Sequence, residues 1–419
     1  MKDFDVVIFG ATSFVGRILC RYYLDTYGAD GSRAAAGAAG RRLRWAIAAR
    51  SAARLDELKR ELGSSAAALP VLLADAADEA ALRALAARAQ LVVSTVGPYA
   101  LYGEPLVKVC AESGTDYCDL TGEVQWIRRM IERYESTAKA SGARIIHCCG
   151  FDSIPSDLGV FHLQQEARKR FGRSASRVKM RVRAMRGGFS GGTAASLLNV
   201  VKEVRRNPAL RKELANPYSL CIGIKDGADV RQPNVAAARY DADFKSWVAP
   251  FVMAGINTRI VQRSNALSHH AYSRDFRYDE AVTTGKGLRG RLAAMATTAG
   301  LGVFMVASAL GPTRALLERF VLPKPGEGPS PEAQRRGFFD LRFLGRTDDG
   351  RTLRVKVTGD RDPGYGSTAK MLGESAACLA LDMPSATLAG GFWTPATAFG
   401  ERLVSRLQAR AGLTFEVID

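Results

Sequence analysis

Asp5-Val6-Val7-Ile8-Phe9-Gly10-Ala11-Thr12-Ser13-Phe14-Val15-Gly16 is the stretch whose reading decides the fold. A short apolar run ends at Gly10, and a second glycine follows at Gly16. This is how a buried first strand turns into a helix N-terminus that receives a pyrophosphate. Gly10 lets the backbone turn where a side chain would clash, and Gly16 lets the new helix pack on the strand. The free N–H groups and dipole of the helix start then favour a diphosphate, with the residues from Gly10, Ala11 and Thr12 through Ser13, Phe14 and Val15 to Gly16 as its cradle. The middle glycine of the common G-x-x-G-x-x-G spelling is Ser13 here. The plainer alternative is a tight turn that only packs a helix. The position near the start of the chain favours the nucleotide, because this motif usually sits on the first strand.

The next strand reads Trp45-Ala46-Ile47-Ala48-Ala49-Arg50-Ser51. An acidic side chain at its end would hold the ribose hydroxyls of NAD. Arg50 and Ser51 stand there instead, a cation and a hydroxyl suited to a 2′-phosphate that arginine can grip at two points. The expected cofactor is therefore NADPH rather than NADH. Between the first helix and this strand, residues 28–42 are rich in Gly, Ala and Arg and read as a surface insertion.

A third strand, Val71 to Leu73, ends near Asp75, a further candidate for the cofactor site. An alanine-rich helix runs from Asp78 to Ala89. The continuous apolar run Leu91 to Val96 is a strand of the kind buried in a parallel sheet, ending at Gly97-Pro98-Tyr99. Val96, Gly97 and Pro98 are placed against the cofactor. With another strand around Ile145-Ile146, residues 1–150 are a doubly wound α/β (Rossmann) domain. Beyond it the pattern changes. Val178 to Arg183 and Leu353 to Val357 alternate apolar and charged residues, as strands wetted on one face do. Residues 151–394 are expected to form an α+β domain on a mixed or antiparallel sheet. Helices are expected over Ser367–Leu381 and Thr397–Ala411, and the segment 395–419 is expected to pack back on the first domain.

A length of 419 residues suits two domains. Seven cysteines without even spacing, including the adjacent Cys148-Cys149, argue against a disulfide framework. No Cys/His set has zinc spacing, and four histidines make a metal site improbable. The apolar strand begins almost at once, which leaves no room for a targeting peptide and points to a reduced, cytoplasmic compartment. The net charge of +17 does not indicate nucleic acid, because the cations are dispersed and no recognition motif accompanies them. A basic surface can still attract an acidic carrier protein, anionic lipid or the cofactor. No residue from Leu292 to Thr313 is charged. The length suffices to span a bilayer, but Ala, Gly, Thr and Ser dominate. A core helix is expected, with peripheral membrane contact through 292–313 as the alternative and a true span the least favoured reading. A homo-oligomer is expected.

Chemistry should gather beyond the carboxyl ends of the strands. Three segments converge there: Val96 to Gly103, Asp116 to Glu123, and Cys149 to Asp157. The catalytic candidates are Tyr99, Tyr102, Asp119, Glu123 and Asp152. Either tyrosine can donate to a developing oxyanion or simply pack with a bonded hydroxyl, and the aspartates can serve function or cap helices. No nucleophile–base–orienter set is present, which suits hydride transfer, where the cofactor carries the chemistry.

Gly10-Ala11-Thr12, Thr95 to Tyr99, Asp119 to Glu123 and Gly150 to Leu158 resemble the saccharopine dehydrogenase-like oxidoreductases. Gly187 to Thr193, Asn257 to Val261, Arg263 to Leu267 and Val321 to Gly326 resemble the mycobacterial trans-acting enoyl reductases within that family. The resemblance covers nearly the whole chain. It implies NADPH-dependent reduction of a carbon–carbon double bond in a polyketide or fatty-acyl thioester, carried on an acidic carrier protein or CoA. Ser153-Ile154-Pro155-Ser156 stands where saccharopine-forming enzymes carry a glycine and a histidine. The alternatives are an amino-acid dehydrogenase with Arg181, Arg183 or Arg186 clamping an α-carboxylate, and a non-catalytic membrane-surface protein that retains the nucleotide fold.

Overall fold

The computed structural model describes residues 2–31, 33, 41–188, 191–224, 230–320 and 327–418. Along the chain, β1 (Phe4–Phe9), α1 (Phe14–Tyr27), β2 (Trp45–Ala49), α2 (Ala52–Leu62), β3 (Val71–Leu73), α3 (Glu79–Arg88) and β4 (Ala89–Ser94) come first. Next are α4 (Tyr99–Tyr102), α5 (Glu104–Ser113), β5 (Asp116–Asp119), α6 (Val124–Ser141) and β6 (Arg144–Ile146). A second group follows: α7 (Ile154–Phe171), β7 (Arg177–Arg186), α8 (Gly191–Arg206), α9 (Ala209–Ala215), β8 (Arg239–Asp241), β9 (Ser246–Pro250) and α10 (Ala254–Leu267). It continues through β10 (Arg277–Gly285), α11 (Gly287–Ala309), α12 (Gly311–Phe320), α13 (Pro331–Arg335), β11 (Phe338–Arg346) and β12 (Thr352–Gly359). The chain closes with α14 (Thr368–Ala377), β13 (Gly391–Trp393), α15 (Pro395–Phe399), α16 (Glu401–Arg406) and β14 (Leu413–Ile418).

Two compact units result. The first comprises Met1–Ile154, Gly326–Gly328 and Gly364–Gly412; the second comprises Pro155–Pro325, Pro329–Pro363 and Leu413–Asp419. In the first, seven parallel strands take the order β13-β6-β5-β4-β1-β2-β3. β1 is buried along its whole length, as a central strand covered on both faces must be. The order reverses between β1 and β4, and such a switch point opens a crevice at the strands' carboxyl ends. The helices between the strands start where the sequence supplies caps: Ser13, Ser51 and Asp78 each accept a hydrogen bond from a first-turn N–H.

In the second unit the order is β14-β12-β11-β7-β10-β9-β8. Only β7 and β10 run parallel, and the other neighbours are antiparallel. The alternation expected in Leu353–Val357 is present in β12, whereas in β7 it is broken at Arg181, which is buried together with Met180 and Val182.

The division expected at 394/395 falls elsewhere. Residues 364–412 belong to the first unit, while β14 returns to the second and pairs with β12. Side chains far apart in sequence hold this return. Gly373 of α14 lets α1 approach so closely that an added Cβ would stand 2.8 Å from the Tyr23 ring, and the Tyr23 hydroxyl donates to the Gly373 carbonyl. Beside it, the buried Glu374 carboxylate accepts from Tyr22, from Tyr27 and from Arg406 Nε at 2.7, 2.6 and 2.9 Å. Arg406 also reaches Asp382 at 2.6 Å, so the buried charges are paired on all sides. The helix expected over Thr397–Ala411 is broken at Gly400, whose φ of +52° a side chain would resist.

α11 departs from expectation as well. It is long and apolar enough to cross a bilayer, yet its most apolar stretch is only 11% buried, so it is not a core helix. Residues 189–190 and 321–326 of the quoted family stretches, and 32 and 34–40 of the surface insertion, lie outside the described residues.

Candidate active site

At the carboxyl end of β1 the backbone turns at Gly10 with φ +84°. A Cβ there would stand 2.6 Å from a Val96 methyl and 2.8 Å from Thr95 Oγ1. At Gly16 the fit is tighter still: a Cβ would meet the Gly10 carbonyl oxygen at 2.2 Å. Both glycines therefore do what the motif requires. Ser13 has an extended backbone (φ −69°), so no glycine is needed at that position. Its hydroxyl caps Gly16 N–H at 2.9 Å and meets Thr95 Oγ1 at 2.9 Å, while Thr95 Oγ1 also donates to the Gly10 carbonyl. The N–H groups of Phe14 and Val15 have no protein partner among the described residues. A helix start with open donors behind two sterically required glycines fits a diphosphate. Arg50, just past the end of β2, is exposed and its guanidinium has no protein partner among the described residues, whereas Ser51 caps α2. Asp75 accepts from Ala77 N–H at 2.9 Å, which makes it a turn former.

The ends of β4, β5 and β6 carry the five residues read as catalytic, and the structure gives them unequal surroundings. Tyr99 is buried against Trp126, its hydroxyl donates to the Ser94 carbonyl at 2.9 Å, and burial with the nearby Asp119 carboxylate pushes the phenol well above its usual range. Glu123 is buried too. Its two carboxylate oxygens accept from the Tyr99 and Ala100 N–H groups, both at 2.9 Å, and so cap α4. Asp119 lies beneath the loops as a hub. It accepts from Thr121 N–H at 3.1 Å and Cys148 N–H at 3.2 Å, and its other oxygen meets His147 Nδ1 at 2.7 Å. Tyr102 is exposed at the end of α4.

Asp152 differs from the rest. The residue is half-buried, its carboxyl has no hydrogen-bonding partner among the described residues, and it is pushed up to about 7 by burial. Gly122 makes room for it, since a Cβ there would come to 3.2 Å from Asp152 Oδ2. The loop presenting it is anchored by Phe151 N–H donating to Thr368 Oγ1 at 2.9 Å. It also contains two non-glycine residues with positive φ, Cys148 at +62° and Ser153 at +115°. Sequence reading passed over His147. Its ring is buried among Trp126, Tyr117 and Phe392, and Nε2 has no partner. The signal was present as a lone histidine ending the run Arg144-Ile145-Ile146, but only the fold shows that it faces Asp119.

Comparison with known proteins agrees with this geometry. Residues 6–146 match the family described as "Saccharopine dehydrogenase NADP binding domain". The trans-acting enoyl reductase of Mycobacterium tuberculosis is 38% identical over 97% of this chain and 96% of its own length. That of Mycobacterium ulcerans is 36% identical over the same shares. A second M. tuberculosis protein, assigned to the group by its name, is 42% identical over 99% of this chain and 97% of its own. The chain belongs to the trans-acting enoyl reductase family. Its fold matches saccharopine dehydrogenase (L-Glu forming) from Saccharomyces cerevisiae with TM-score 0.52 at 14% identity, over 99% of both chains. Homospermidine synthase from Legionella pneumophila also gives TM-score 0.52, at 9% identity over 99% of this chain and 90% of that one. As a member of this family the protein is an oxidoreductase built to bind a nicotinamide cofactor.

Other stretches that marked the family resemblance make up a buried polar lattice in the second unit. Asn257 of α10 donates to Glu280 of β10 at 2.9 Å, Tyr278 donates to the same carboxyl at 2.7 Å, and Ser264 donates to Asp157 at 2.6 Å. Burial raises the Glu280 carboxyl above its ordinary range. Arg181 is fully buried, with Asp241 at 2.7 Å and Asp279 at 2.6 Å. It is therefore committed to internal ion pairs and not open to a substrate carboxylate. Arg183 and Arg186 are exposed on β7.

Proposed function

We propose that this oxidoreductase uses NADPH to reduce the α,β double bond of a polyketide or fatty-acyl thioester, acting in trans on an acyl group carried by an acidic carrier protein or CoA. The observation that carries the cofactor half is the open helix start behind Gly10 and Gly16, with the unpaired Arg50 at the neighbouring strand end. The names of relatives at 36 to 42% identity over nearly full length support the substrate half. In this reading Phe14 and Val15 N–H hold the diphosphate, and Arg50 grips the 2′-phosphate in two-point fashion.

When bound, a reduced nicotinamide supplies hydride to the β-carbon. The protein's own task is then to deliver a proton to the α-carbon and discharge the enolate oxygen. Asp152 is the group for the proton. It is the one of the five candidates whose carboxyl is unpartnered among the described residues, on a half-buried residue, and protonated in part near neutrality. Its proton goes to the α-carbon, and the carboxylate left behind regains one from water. Tyr102, with an exposed phenol, is the second donor considered. Tyr99, Asp119 and Glu123 act as positioning residues through the loops they pin. The basic surface favours an acidic carrier over a neutral one.

The test is titration of the purified chain with NADPH and then NADH, followed by tryptophan fluorescence, with Arg50→Ala alongside. NADPH should bind more tightly by about 10-fold or more, and the substitution should erase the difference, as expected for one charge-assisted phosphate contact. An unchanged preference in Arg50→Ala refutes the assignment. NADPH oxidation with crotonyl-CoA or longer enoyl thioesters then tests the substrate class, and turnover with saccharopine and NADP⁺ instead would replace it.

A further inference from the structure

We infer that α11 and α12 form a docking surface for an anionic membrane, on which the protein lies without crossing it. Its basis is how α11 is seated in the second unit. The helix packs on β9 and β10, and its buried residues, Gly290, Ala294 and Ser308, lie on one face. The seat at its start is close, because a Cβ on Gly290 would stand 2.3 Å from the Gly285 oxygen. At 100° per residue, the face directly opposite carries Leu288, Leu292, Met295, Val303, Val306 and Leu310. All six are exposed, Leu288 at 69%, Val303 at 68% and Val306 at 61%. They form a continuous apolar stripe about 33 Å long. α12 adds exposed Leu316 and Phe320. A helix seated on a sheet along one face cannot span a bilayer, but it can sink the opposite face into one.

Charge selects the occupant. From Lys286 to Phe320 the sequence has five cations (Lys286, Arg289, Arg291, Arg314 and Arg319) and one acid, Glu318. Arg289 and Arg291 flank the stripe on either side at its start, and Arg314 and Arg319 follow its end. A second copy would meet cations at both ends in either orientation: parallel helices align like with like, and antiparallel helices bring one basic end to the other. An anionic headgroup layer complements both ends at once. This surface is independent of the reading of the active site and stands or falls without it.

The experiment is flotation of the full-length protein with vesicles of equimolar phosphatidylglycerol and phosphatidylcholine, and with pure phosphatidylcholine. The protein should float with the anionic vesicles, not with the neutral ones, and binding should weaken as salt is raised. Val303→Asp/Val306→Asp should lower bound protein by about 10-fold or more. Arg289→Gln/Arg291→Gln, which keeps the stripe, should lower it by several-fold. Both variants should keep the wild-type circular dichroism, because all four side chains are exposed, and the melting midpoint should move by no more than a few degrees, since Arg291→Gln gives up only a guanidinium lying 5.6 Å over the Trp247 ring. Failure of the wild type to float with anionic vesicles overturns the inference. So does equal flotation of Val303→Asp/Val306→Asp, or a wild-type dimer in light scattering that this variant splits while vesicles bind neither.

Discussion

Replacing Asp152 by asparagine should make the enzyme more stable and less active, and the stability gain should depend on pH. The carboxyl sits against Gly122 without a hydrogen-bonding partner and titrates at about 7 rather than the ordinary 3.8, because burial disfavours its charge. A folded state that holds a proton more tightly than the unfolded chain loses stability as pH rises through that window. The loss begins near pH 4 and is complete above about pH 7. The interval from 3.8 to about 7, at about 1.36 kcal/mol per pH unit, sets a ceiling of about 4 kcal/mol. The residue is half-buried rather than fully enclosed, which discounts this to about 1–2 kcal/mol. Asparagine imitates the protonated form in size and carries no charge. Its stability should therefore match wild type near pH 4 and exceed it by about 1–2 kcal/mol near pH 8. In thermal melts at the two values, the transition of the first unit should separate by several degrees, at about 2–4 °C per kcal/mol. Enoyl-thioester turnover by the wild type should fall as pH rises past about 7, where the donor empties, and that limb should vanish in Asp152→Asn. A melting difference that is the same at both pH values refutes the burial argument. An unchanged pH–rate limb refutes Asp152 as the donor while leaving the stability argument intact.

Gly16→Ala should cost about 1–3 kcal/mol and weaken NADPH binding by at least about tenfold, because its Cβ meets backbone that cannot give way; fluorescence titration checks this. Glu123→Ala leaves Tyr99 and Ala100 N–H without acceptors, and should lower stability by about 1–3 kcal/mol in denaturant melts. Arg406→Met strands the buried Glu374 and should cost about 3–5 kcal/mol, most of it recovered when Glu374→Gln is added, as a double-mutant cycle will show.

Much of the first unit was legible because its signals are local. A strand that ends in glycine and turns into a helix needs only near neighbours in sequence, so β1 to β4, the start of α1 and the helix α3 could be placed from local pattern, while α2 was not read. The place of Arg50, just past the end of β2, was legible for the same reason: that strand's position relative to the glycine turn is fixed by the parallel sheet. The mixed second sheet could be read from the alternation in β12, which reflects one wet face; β7 carries the same sequence pattern but buries Arg181.

The chain alone did not show which polar residues are consumed by the protein itself. Tyr99, Asp119 and Glu123 look like chemistry in sequence, yet each is drawn inward by partners on loops that only the fold brings together. Asp152 stands apart solely because Gly122, thirty residues earlier, leaves space for its carboxyl and offers it no partner. The return of residues 364–412 to the first unit depends on a buried polar cluster in which Tyr22 and Tyr27 meet Glu374 and Arg406, about 350 residues later in the chain. The same holds for α11. Composition determined that it is apolar and uncharged over most of its length; seating on β9 and β10 decided that its large side chains face outward. Sequence determines what is favourable within a few residues, through backbone geometry and hydrophobic period. Desolvation and pairing of polar groups are set by neighbours in space, and those the tertiary structure alone supplies.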